Sequence, residues 1–133
     1  MASLVLDSFA LLVFFRDENG AEIIQALLEK ASRHDAPLLM SEVNYAEVKY
    51  IILRKDGKDA WNAVRASLGS LPLEFVPSSR ALADSAAEFK ANHRIGLADA
   101  FAAALAKDKK GALVTGDPEF KALEREIKIT WLK

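Results

Sequence analysis

Five short, mainly apolar runs separated by longer segments of helical character constrain this chain more than any other feature. The runs are Leu4–Leu6, Leu38–Met40, Leu73–Val76, Ala112–Thr115 and Ile127–Trp131. Between them, Ser8–Phe15 reads as a helix. Gly20 opens a second, with Ile23, Ile24, Leu27 and Leu28 at helical spacing. Ser41 is placed to cap a helix running to about Leu53, and further helices are expected over Asp59–Leu68, Ser79–Asn92 and the alanine-rich Leu97–Asp108. A short helix is expected after Pro118, ahead of the last run. Strands alternating with helices predict an α/β fold with a mostly parallel sheet covered on both faces. Short apolar strands suit that burial. In such sheets ligands bind beyond the carboxyl ends of the strands, where strand order reverses. Side chains just after each apolar run are therefore the ones to weigh.

The chain has 133 residues, enough for one domain with a real core. Neither repeats nor a linker divide it, so residues 1–133 are expected to form a single domain. No apolar run approaches the roughly 18–20 residues that cross a bilayer. The first residues carry no basic group and include Asp7 within the apolar stretch, which argues against a signal peptide. Cysteine is absent, which removes disulfides, thiolate metal sites and cysteine nucleophiles and fits a cytoplasmic protein. Two histidines, His34 and His93, are too few for a histidine-rich zinc site. A net charge of −1 disfavours a strongly basic, non-specific nucleic-acid binder.

Four acids stand at or near strand-to-helix transitions. Asp7 directly follows LVL, and Asp117 follows LVTG. Each has a ready structural explanation as an N-cap, and Asp117-Pro118-Glu119 is a good helix start with proline at its first position. Glu47 falls on the apolar side of its helix, near Val43, Tyr50 and Ile51, where a carboxylate needs a cation, a donor or a metal. A structural salt bridge is the alternative. Glu42 lies ~140° around that helix from Glu47. It follows the Ser41 cap, where an acid favours the helix dipole, and reads as structural. Asp99 sits in the first turn of a helix that is apolar nearly all round and therefore buried. Carboxylates sharing a pocket repel one another and raise each other's pKa. A hard divalent cation resolves that conflict, and oxygen-only ligation suits Mg²⁺ or Mn²⁺.

The stretches LVLDSFALL, MSEVNYAEVKY, GLADAFAAALA and LVTGDPEF, in this order and at these separations, resemble the PIN-domain family and within it VapC-type toxins. The LPLEFV strand and the closing ITWL extend the likeness over most of the chain. The resemblance implies a three-layer α/β/α fold and a divalent-metal endoribonuclease that cleaves RNA with metal-activated water. It implies that Asp7, Glu47, Asp99 and Asp117 form the catalytic and metal-binding site, with Glu47 ligating or orienting the water. Asn44, Ser8 and Thr115 match supporting positions. Asn44 would brace the site by hydrogen bonding, Ser8 would hold a metal-bound water and Thr115 would orient Asp117. The resemblance further implies single-stranded or loop RNA as substrate, a homodimer and a VapB-type antitoxin partner.

Lys49, Arg54, Lys55, Arg94 and Lys121 are candidate phosphate contacts, with a solvated charged face as the alternative. Phe14, Phe15, Tyr45, Tyr50, Ile52 and Trp61 are candidates for an apolar surface facing an antitoxin helix or second subunit, with core as the alternative. Among other classes, a phospho-acceptor receiver wants paired acids after its first strand, but Ser8 and Phe9 follow Asp7. An Asp-x-Asp phosphatase is excluded by Phe9. A PIN nuclease of RNA maturation and a non-catalytic PIN-like binding module stay open at this stage.

Overall fold

The protein is described by a computed structural model covering residues 3–132. The strands are β1 (Leu4–Leu6), β2 (Leu38–Ser41), β3 (Leu73–Val76), β4 (Ala112–Thr115) and β5 (Lys128–Trp131). The helices are α1 (Ser8–Phe15), α2 (Ala21–Arg33), α3 (Glu42–Lys55), α4 (Lys58–Leu68), α5 (Arg80–Asn92) and α6 (Leu97–Asp108). A 3-10 helix, Pro118–Leu123, joins β4 to β5.

The strands form one sheet in the order β3-β2-β1-β4-β5. Every pairing is parallel among the described residues, with Val5 opposite Leu39 on one side and Leu113 on the other. The expected mostly parallel sheet is thus wholly parallel. Alternate side chains feed two cores. Val5, Leu39 and Leu113 join Leu82, Phe89 and Phe101 of α5 and α6 on one face. Leu6, Met40 and Val114 join residues of α1, α2, α3 and α4 on the other. The result is a three-layer α/β/α arrangement.

Helix α6 is the most deeply set. Ala100, Ala102, Ala103, Ala104 and Ala106 are fully buried, and side chains this small let the helix lie close against sheet and α5. Two of the residues weighed for an apolar surface are core instead. Ile52 and Trp61 are 2% and 4% exposed, because α4 folds back on α3 and sets the Trp61 ring edge-on to Tyr45. Tyr50, by contrast, is exposed. Helix α3 continues to Lys55, its last turn carrying Arg54 and Lys55, cations that favour the negative end of the dipole. β5 begins at Lys128 because the Ile127 amide still donates back to the Leu123 carbonyl at 3.1 Å.

The first strand leads outward to β2 and β3, and the chain later returns to place β4 on the other side of β1. Strand order therefore reverses between β1 and β4. The carboxyl ends of those two strands border the crevice where parallel sheets bind ligands.

Candidate active site

Asp7 leaves β1 at that crevice and is completely buried. It caps α1, its Oδ1 accepting from the Ala10 amide at 2.8 Å. Its Oδ2 accepts from the Thr115 hydroxyl at the end of β4. Thr115 Oγ1 also accepts from the Asp117 amide at 3.0 Å. One hydroxyl thus ties the first acid to the backbone of the last. Thr115 thus engages Asp117, as expected from the sequence, through the Asp117 amide, and it also donates its proton to Asp7. Asp117 caps the 3-10 helix, its Oδ1 accepting from the Glu119 amide at 2.9 Å. Capping and membership of an acidic site are therefore compatible at both aspartates.

Asp99 stands half-buried in the first turn of α6. One carboxylate oxygen from each of Asp99, Asp117 and Glu119 lies within 4.8 Å of the others. Glu119 is the residue that sequence reasoning missed. Its only sequence signal is its place two residues after Asp117, where it reads as part of a helix start. The tight 3-10 turn is what swings it toward Asp99. Asp7 and Glu47 are outside this trio but act on it electrostatically. Burial, then Glu47, Asp117 and Glu119, push Asp99 up from 3.8 to about 7. Burial pushes Asp7 up to about 8, against the hydrogen bonds from Thr115 and Ala10, with the charges of Asp99 and Asp117 adding to the rise. Glu42 is exposed at the start of α3, away from these interactions.

A buried polar knot holds the acids' elements together. Asn44 is fully buried on α3, and its Nδ2 donates to Ser8 Oγ at 3.0 Å and to the Ala98 carbonyl at 3.1 Å. Its Oδ1 accepts from Ser41, whose Oγ caps α3 by accepting from the Asn44 amide at 3.1 Å. Ser8 donates back to the Asn44 carbonyl at 3.3 Å. The Ser8 hydroxyl is therefore engaged with α3 and joins α1 to α3. Ala98 precedes Asp99, so Asn44 braces the acid-bearing turn of α6. No buried side-chain polar atom lacks a partner among the described residues.

The basic candidates scatter. Lys49 lies over the Trp61 ring and Arg54 over the Tyr50 ring, each 5.5 Å from the centroid. Lys55 and Arg94 are exposed. Lys121 lines a cleft beside Gly116 and Pro118, next to the acids.

Three clustered carboxylate oxygens, with burial and neighbouring charge holding Asp99 well above the ordinary carboxylate range, fit a hard divalent cation. The donors are carboxylates alone, so the set offers nothing to a soft metal.

The sequence profile of the PIN domain matches residues 4–126, and the chain belongs to the PIN-domain family. Solved structures share the fold. A chain of the DNA-bound VapBC complex from Salmonella typhimurium superposes with a TM-score of 0.75 at 17% identity, covering 100% of both chains. A chain of a toxin–antitoxin complex from Klebsiella pneumoniae gives 0.72 at 18% identity over 98% of each chain. One from VapBC2 of Rickettsia felis, bound to a promoter DNA fragment, gives 0.72 at 18% identity over 96% of each. No curated protein sequence matches the chain.

Proposed function

We propose that this protein is a divalent-metal-dependent endoribonuclease, the toxin of a VapBC-type pair, acting in the cytoplasm as one PIN domain. The observation that carries the reading is the gathering of Asp99, Asp117 and Glu119 within 4.8 Å beside the buried Asp7 at the β1–β4 crevice. Asp99, Asp117 and Glu119 would hold Mg²⁺ or Mn²⁺, and Asp7, deprotonated once the cation is bound, would add negative charge beneath them. The bound cation supplies charge neutralisation for a phosphodiester and lowers the pKa of water. Glu47, half-buried at the rim, orients the attacking water and accepts its proton on a carboxylate oxygen. The water oxygen bonds to phosphorus as the P–O bond to the leaving oxygen breaks, and the leaving oxygen takes a proton from solvent to depart as an alcohol. Thr115 holds Asp7 and the Asp117 backbone in register, and Asn44 holds the Asp99 turn. A recessed acidic site suits single-stranded or loop RNA, whose phosphates can be presented singly.

Partnership with a VapB-type antitoxin is supported by the fold shared with chains of toxin–antitoxin complexes. It is also supported by a cleft of about 280 Å³ between α1, α3 and α4, lined by Phe15, Ile52, Ala60 and Val64 with Arg16 and Asp56. An amphipathic antitoxin helix fits such a groove. A homodimer is part of the same reading. Expression in a bacterial host tests the toxin role. Growth arrest is expected, abolished by Asp7→Asn and relieved by the product of the adjacent small gene. Unimpaired growth with active cleavage in vitro would favour an RNA-maturation nuclease, and absence of cleavage a binding module.

A further inference from the structure

The acids leave the cleft beside them unused. Gly116, Pro118, Lys121 and Trp131 line a cavity of about 330 Å³. Gly116 and Pro118 flank Asp117 in the chain, so the cavity adjoins the acidic cluster directly. Its size is at the lower end of the ~300–1,000 Å³ typical of small-molecule sites, suited to one nucleoside. Its lining joins an indole to a single cation. Trp131 Nε1 donates to Glu124 Oε2 at 3.0 Å, which anchors the ring at one edge. Lys121 is exposed and carries the charge.

The corner of the chain here is bare backbone. A Cβ on Gly116 would stand 2.6 Å from Cε1 of Phe9, so the Phe9 ring occupies the space a side chain would need. A polyanion approaching clustered carboxylates needs attraction from elsewhere, and the net charge of −1 supplies no general field. Base stacking on an aromatic ring together with a lysine on a phosphate is the usual means of holding single strands.

We infer that this cleft binds the nucleoside adjacent to the cleaved phosphodiester, its base on Trp131 and a flanking phosphate on Lys121. The inference rests on the RNA-cleaving reading above and names where that substrate is gripped. Because every base has a π-face, the subsite tolerates any base.

The test titrates a short, end-labelled oligoribonucleotide into the full chain with Ca²⁺ replacing Mg²⁺. Tryptophan emission and the label's anisotropy are both read. Emission is expected to fall on binding and to stay unchanged in Trp131→Phe, because Trp61 is 4% exposed and out of reach of a base. Lys121→Glu, at an exposed position that tolerates substitution, is expected to weaken binding about tenfold and to reduce the salt dependence by roughly one phosphate contact. RNA binding with no change in Trp131 emission, or with full affinity in Lys121→Glu, overturns the cleft and leaves the nuclease reading intact. Affinity lost in Phe9→Ala alone also overturns it, as does the absence of RNA binding. The nuclease reading fails on a separate result, the absence of RNA cleavage when Mg²⁺ is supplied.

Discussion

At the scale of single residues, the chemistry turns on which carboxylates can be replaced without losing the backbone around them. Asn keeps the capping oxygen of Asp7, and Asn is as good an N-cap as Asp. Asp7→Asn should therefore fold while slowing RNA cleavage by roughly 10²-fold or more, at least the loss seen when groups supporting a metal site are removed. Kinetics alongside circular dichroism check both halves. Glu47→Gln should cost roughly 10- to 100-fold, whereas Glu42→Gln should leave the rate nearly unchanged. The reverse ranking would reassign the acid on α3. Asn44→Ala strands the partners of a fully buried side chain and should lower stability by about 2–3 kcal/mol in urea unfolding. Asp7, Glu47, Asp99 and Asp117 could be singled out in the sequence because each stands at or near a strand end or a helix start. Glu119 could not, because only the 3-10 geometry turns its side chain toward Asp99. Nor could the direction of the Ser8 hydroxyl be read, since it depends on α3 packing against α1.

At the scale of elements, the strands were legible because proline, glycine and aspartate bound nearly every apolar run. The helices were legible from their 3.6-residue period. Surface and core on α3 and α4 were harder to separate. Both faces of α3 carry apolar residues, so only the docking of α4 shows that Ile52 is covered and Tyr50 is not. That docking also forms the groove assigned to the antitoxin. Ala63 lines it and is exposed, so Ala63→Arg should fold normally. Cleavage should be retained while inhibition by the antitoxin weakens at least tenfold, measured by adding the antitoxin to a cleavage assay. Helix α6 is more sensitive. Ala102 is fully buried, so Ala102→Leu overpacks the sheet and should cost about 1–3 kcal/mol while displacing the Asp99 turn.

At the scale of the whole molecule, strand order was not readable. Hydrophobic period gives the number and kind of elements, but their order depends on which strands pair. The structure inserts β1 between β2 and β4, and that reversal makes one site of acids far apart in the chain. Burying them, and setting them close together, has a thermodynamic consequence. Folded Asp7 and Asp99 release their protons near 8 and 7, against 3.8 for the unexceptional group. Between these values the folded chain binds more protons than the unfolded one, so metal-free stability falls as pH rises from about 4 to about 8. A cation bound to the ionised cluster offsets this loss. Thermal unfolding should therefore show a falling Tm from pH 5 to pH 8 in EDTA, and a larger rise with Mg²⁺ at pH 8 than at pH 5. The cleavage rate of a single-stranded RNA across an Mg²⁺ titration, in wild type and Asp99→Asn, tests the joint claim about metal and chemistry most directly. The predicted result is no cleavage in EDTA, a saturable rise with Mg²⁺, and an Mg²⁺ requirement raised at least tenfold in Asp99→Asn. Undiminished cleavage in EDTA, or an unchanged Mg²⁺ requirement in the variant, would contradict it.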